Sequence, residues 1–153
     1  MEIHMAKLRL LAAALCLGVA TTTGAHALDD EIGARQQLMQ DIKAAMGASV
    51  AMVKGEMEYD AKRAELAMRT MNAAAIGLPM FFTKDNSEDL DTEAGPKIWQ
   101  NMDGFKTGAG ILAGTSDAAA KKASEGLDAF KMAFGDVAKT CKGCHSEYRV
   151  EKK

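Results

Sequence analysis

Histidine, cysteine, proline and aromatic residues are all scarce in this 153-residue chain: three His, three Cys, two Pro, one Trp, two Tyr and five Phe. Each shortage excludes something. Three cysteines cannot build a disulfide framework that substitutes for a hydrophobic core. The two prolines, Pro79 and Pro96, lie in one central region and leave long stretches on either side without a helix breaker. The formal net charge of −2 gives no basic excess, which argues against nucleic acid or an anionic membrane as a partner. No internal repeat or low-complexity tract stands out. What is abundant is Ala, Met, Lys and Glu, residues that favour helix.

The first 27 residues read as a cleaved export signal. Lys7 and Arg9 form a basic n-region, residues 10–20 are apolar and uncharged, and Ala25-His26-Ala27 places small residues at the −3 and −1 positions of a cleavage site. The apolar run is shorter than the ~20 residues of a membrane span, so the expected product is a soluble periplasmic domain rather than a membrane-embedded one. Cys16, preceded by bulky Leu15, reads as an apolar position and not as a lipid anchor. Residues 28–153 are then long enough for one domain with a real core.

Once residues 1–27 are set aside, every remaining Cys and His falls in one run, Cys141-Lys142-Gly143-Cys144-His145. Cys-x-x-Cys-His is the attachment site of a c-type haem. The two thiols add to the porphyrin vinyl groups and the imidazole takes the iron as proximal ligand. On a helix, positions i, i+3 and i+4 share a face, so Cys141, Cys144 and His145 turn towards one flat group. A zinc site needs a fourth ligand, which Cys and His do not supply here. A thioredoxin-like dithiol needs a strand–helix context, and no strand pattern precedes the motif. One covalent haem c is the expected cofactor. Attachment outside the cytoplasm agrees with the export signal.

The helical pattern has four parts. The first helix opens at Asp29 or Asp30 and runs to Val53, with Ile32, Met39, Ile42, Met46, Val50 and Val53 on one stripe and Gly55 as its stop. The second starts after Asp60 and runs to Ile76, with Ala64, Met68, Met71 and Ala75 on one face; Gly77 and Pro79 end it. An irregular connection over residues 78–95 carries Phe81, Phe82 and an acidic, polar stretch, and its length suggests a segment packed down by the two Phe residues. The third helix has Pro96 at its first position and carries Ile98, Met102, Phe105, Ala109 and Leu112, with a break expected at Gly114-Thr115. The fourth spans Ser124 to Val150 and turns Leu127, Phe130, Phe134, Val137, Cys141, Cys144 and Tyr148 inward. The expected fold is all-α, an antiparallel up-down-up-down four-helix bundle with a cofactor in its core.

A C-terminal Cys-x-x-Cys-His followed by Ser146-Glu147-Tyr148-Arg149, behind a signal peptide and a four-helix pattern, resembles the class II cytochromes c, the cytochrome c′ family. The resemblance extends to Arg35-Gln36-Gln37-Leu38-Met39 and to Pro96-Lys97-Ile98-Trp99, although only the haem motif is highly specific. It implies a left-handed bundle, often a homodimer, in the periplasm. The family holds both five-coordinate, high-spin proteins that bind small gases and six-coordinate, low-spin relatives in which a first-helix Met closes the iron. Met39 occupies the position where the resemblance places the distal residue.

Bis-histidine ligation is excluded because residues 28–153 hold no second His, and a thioether is the soft ligand that remains. Met39 is the expected distal ligand; the competing role is that of a core filler. Arg35, one turn before Met39, projects from the same stripe, where a haem propionate would suit its guanidinium; its stem could instead pack on the bundle with its head in water. Arg149, four residues after His145, is read either as a tuning charge beside the proximal imidazole or as a helix-terminal cation favoured by the dipole. Phe82 and Trp99 pack on the porphyrin or simply in the core. Residues 87–91 read as a solvated acidic loop, with docking of a basic partner as the alternative.

Two functional classes follow. One is a carrier of single electrons to an unidentified redox-partner protein. The other is a high-spin protein binding nitric oxide or carbon monoxide. An enzyme is not expected, because no His remains for distal acid–base chemistry and no nucleophile pairs with a base.

Overall fold

A computed structural model of the chain describes residues 30–151. The leader features (Lys7, Arg9, residues 10–20, Cys16, the cleavage after Ala27) and Asp29 as an N-cap candidate lie outside the described residues.

Among the described residues five α-helices follow one another: α1 Glu31–Lys54, α2 Ala61–Gly77, the short α3 Lys97–Gln100, α4 Met102–Lys122 and α5 Leu127–Tyr148. Glu31 in the first turn of α1 and Lys54 in the last suit the helix dipole. Gly55 then turns the chain with φ 74°, a conformation that favours glycine. Asp60 caps α2 by accepting from the Arg63 amide at 2.7 Å. The four long helices α1, α2, α4 and α5 form the antiparallel up-down-up-down bundle expected from the pattern. No helix among the described residues is long and apolar enough to cross a membrane.

The third helical stretch differs from expectation. The break falls at Asn101, not at Gly114-Thr115, and Pro96 stands ahead of α3 rather than inside it. Asn101 leaves helical geometry (φ −140°, ψ 61°) and its side chain accepts from the Gly104 amide at 3.1 Å, so it starts a new helix. From there α4 runs unbroken through Gly108, Gly110 and Gly114, because α2 and α5 pack along it and tertiary burial outweighs the weak helix propensity of glycine. The last helix is shorter than expected: a 3-10 turn, Ala123–Glu125, precedes it, and Arg149 and Val150 leave it in extended form.

The core lies in two clusters. The larger one buries Met52, Met68, Met71, Phe130 and Val137 almost completely, each such side chain contributing ~1.5–3 kcal/mol by its burial. Along this part of α1 the buried positions are Ile42, Ala45, Ser49 and Met52; Met46, Val50 and Val53 of the expected stripe pack against the cluster's margin. The Ser49 hydroxyl is satisfied by the Ala45 carbonyl at 2.9 Å. The second cluster holds Leu78, Phe82, Ile98, Phe105 and Tyr148. Phe105 meets Phe82 at 4.6 Å and Tyr148 at 5.4 Å, both edge-on.

The four bundle helices pack unevenly. α2 and α4, α4 and α5, and α1 and α2 lie in close contact, whereas α1 and α5 scarcely touch. Met39 on α1 and Cys144 on α5 stand on either side of that loose seam.

Candidate haem site

Cys141, Cys144 and His145 lie in the last two turns of α5. Both cysteines are free of disulfides and partly buried. Burial pushes both thiols up, and in Cys144 the neighbouring Cys141 pushes the same way, so both stay neutral. Cys144 packs against the second cluster, beside Tyr148. His145 is exposed as a residue. Partial desolvation at the helix end and the Arg149 charge nevertheless hold its imidazole below the usual range, against an opposing pull from Glu93. The neutral ring is the form that binds metal. Two neutral thiols and a neutral imidazole on one turn are a donor set that fits a c-type haem.

Across the seam, α1 offers Leu38 and Met39, both partly buried and both packed against the two clusters. Met39 and Cys144 therefore border the same apolar group, one from α1 and one from α5.

Arg35, one turn earlier on α1, is buried with 5% exposure. Its Nε donates to the Phe81 carbonyl at 2.6 Å, and its Nη2 donates to Asn86 Oδ1 at 3.0 Å and to Glu31 Oε2 at 3.4 Å. The guanidinium lies over Phe82 (4.3 Å to the centroid) and beside Trp99 (5.8 Å). Trp99 Nε1 donates to the Phe82 carbonyl at 3.2 Å. Phe82 thus sits between Arg35, Trp99 and Phe105, in the cluster that Cys144 borders.

The connection over residues 78–95 is tied at both ends. It opens with a 3-10 turn, Leu78–Phe81, carrying Pro79, and Arg35 grips its Phe81 carbonyl and its Asn86 side chain. Its acidic part folds on itself: Asp85 accepts from the Ser87 amide at 3.0 Å and Asp89 from the Asp91 amide at 2.9 Å. Those two carboxylates are engaged in the loop's own turns, as the solvated-loop reading expects. At its far end Gly95 N donates to the Tyr148 carbonyl at 2.7 Å and Val150 N to the Glu93 carbonyl at 2.9 Å, giving an isolated antiparallel bridge between Ala94 and Arg149. Glu93 Oε2 accepts from both Nε and Nη2 of Arg149 at 2.7 Å. Lys97 pairs with Glu147 nearby.

Asn86 and Glu93 are the residues that sequence reasoning leaves without a role. Neither has a local signal, since their partners Arg35 and Arg149 lie dozens of positions away.

A single c-type haem on a four-helix bundle is the class of protein that this fold and donor set define. The sequence profile of the Cytochrome C′ family matches residues 30–149, and the chain belongs to that family. It accordingly carries covalent haem c, in a family of electron-carrying or gas-binding haem proteins rather than enzymes. The chain is similar to a cytochrome c-556 of Agrobacterium tumefaciens (strain apple 185), with 36% identity over 123 residues, 78% of this chain and 94% of that one. It is also similar to a cytochrome c′ of Allochromatium vinosum, with 32% identity over 144 residues, 90% of this chain and 92% of that one. Among solved structures, cytochrome c′ from Rhodopseudomonas palustris superposes with a TM-score of 0.76 at 28% identity, covering 81% of this chain and 98% of its own.

Proposed function

We propose that this protein carries single electrons in the periplasm on its one haem c, with His145 as the proximal iron ligand and Met39 as the distal one. The observation that supports this reading best is the placement of Met39. It packs from α1 against the apolar group that Cys144 borders from α5, across the one seam where two neighbouring bundle helices scarcely meet. When bound, the haem supplies a one-electron ferric/ferrous couple. Cys141 and Cys144 fix its position covalently, and His145 offers a neutral imidazole nitrogen. Met39 offers a thioether, which favours the reduced state and leaves no open position. Phe82 and its neighbours exclude water on one side. Arg35, a buried cation with five N–H donors, meets a propionate at the rim. Export across the inner membrane, a homodimer and a separate redox-partner protein belong to the same reading and rest on the leader pattern and the family resemblance.

Leu38 favours a second reading, in which the protein binds nitric oxide or carbon monoxide. It borders the same group as Met39, and adjacent helical positions point about 100° apart, so only one of the two can face the iron. With Leu38 there, a side chain of bulk and no donor atom covers an open coordination position.

Met39→Leu separates the two. Under the electron-carrier reading the variant turns high-spin and binds carbon monoxide much faster than the wild type. Under the gas-binding reading wild type and variant behave alike. Attachment is checked independently: Cys141→Ala with Cys144→Ala should lose the haem mass that acid–acetone leaves on the wild type.

A further inference from the structure

We propose that Glu93 is a positioning residue for the proximal side of the haem, holding and neutralising Arg149 beside His145 so that the connection between α2 and α3 sets the reduction potential. The inference rests on His145 as an iron ligand and is independent of what fills the distal side.

Glu93 grips Arg149 through one oxygen, which receives two guanidinium donors at 2.7 Å. Both side chains are about half exposed, at 49% and 45%. A pair so wet adds little to stability, so its geometry has to be held by something else. The backbone does this. The bonds from Gly95 N to Tyr148 O and from Val150 N to Glu93 O bracket the Ala94–Arg149 bridge, and they fix both chain segments in one register. Arg149 N also donates to the His145 backbone carbonyl at 3.2 Å and closes the last turn of the helix that carries His145. The Glu93 carboxylate accordingly faces the end of α5.

Arg149 follows His145 by one helical turn and Glu93 is bonded to Arg149, so both charges stand on the side of the proximal ligand and act on the iron with opposite sign. A nearby cation favours the ferrous state, which carries one positive charge fewer, and a nearby anion favours the ferric state. Held as a pair, the two oppose each other at the iron. Arg149 alone would raise the potential. Glu93 is therefore what lets a guanidinium stand four residues from the proximal ligand without pulling the couple upward. It comes from a segment that Arg35 docks at its other end, on the opposite side of the haem seam.

The test is a set of reduction potentials on the purified holoprotein: wild type, Glu93→Gln, Arg149→Gln, the double variant and Glu93→Asp. We expect Glu93→Gln to raise the potential, Arg149→Gln to lower it, the double variant to return towards wild type and Glu93→Asp to stay near it. Thermal unfolding of each variant shows whether the fold survives. A purely structural pair would lower the melting point without moving the potentials in opposite directions, and that result overturns the proposal. The oxidised spectrum of the wild type separates the two ways of failing. A histidine-ligated haem with unmoved potentials removes the role of Glu93 alone, whereas a haem without histidine ligation removes the ligand assignment beneath it.

Discussion

The guanidinium carbon of Arg35 lies 4.3 Å from the centroid of the Phe82 ring, while its Nε donates at 2.6 Å to the carbonyl of Phe81, the residue before. One α1 side chain thus holds the start of the long connection by its face and by its backbone. Arg35→Leu removes the cation over the ring and leaves the Phe81 carbonyl without its charged donor. The expected cost is about 1–3 kcal/mol, read as a lower denaturant midpoint with an unchanged slope. Arg35→Lys keeps the charge but not the planar fork and should recover only part of the loss.

At the other end of the same connection, Gly95 admits no side chain. A Cβ there would meet the Tyr148 carbonyl oxygen at 2.9 Å and Val150 Cγ1 at 3.1 Å. That carbonyl is backbone and already receives the Gly95 amide, so it cannot step aside without opening the bridge. Gly95→Ala should destabilise the holoprotein by about 1–3 kcal/mol in thermal unfolding. Gly55→Ala would be destabilising for a different reason, its positive φ.

Glu31 makes stability depend on acid. Burial alone would push its carboxyl up, but the Thr83 hydroxyl and amide, the Arg35 charge and the Lys84 amide outweigh that and hold it below the ordinary range. The folded chain therefore binds this proton less readily than the unfolded chain. The stability that Glu31 contributes is complete above the ordinary glutamate range, about 4.3. It drains as the pH falls through that range towards the lower folded value. Unfolding free energies measured against pH should show a shallower acid limb for Glu31→Gln, together with a lower plateau near neutrality. Equal acid limbs would mean that Glu31 is not held as described.

Helices α1 and α2, the inward placement of Phe130, Phe134 and Val137, and the haem motif on the last helix are all legible in the sequence, because period and spacing encode local faces. The break at Asn101 is not, since four glycines after it look weaker than one asparagine, and the choice is made by the helices that pack along α4. Nor is the pairing of Glu93 with Arg149 or of Gly95 with Tyr148, which depends on two distant segments meeting. Likewise, the small residues Ala45 and Ser49 lie deeper than Val50 and Val53, although hydrophobicity alone ranks them the other way. Close approach of α1 to α2 selects them for size.

The absorption spectrum of the untouched, oxidised protein, followed by exposure of its reduced form to carbon monoxide, decides whether Met39 holds the iron. With Met39 on the iron, the oxidised protein is low-spin, shows a weak sulfur-to-iron charge-transfer band at the red edge of the visible, and takes up the gas slowly or not at all, because the thioether must leave first. A high-spin spectrum with immediate uptake of carbon monoxide would contradict the account and leave Met39 or Leu38 as a lid over an open iron.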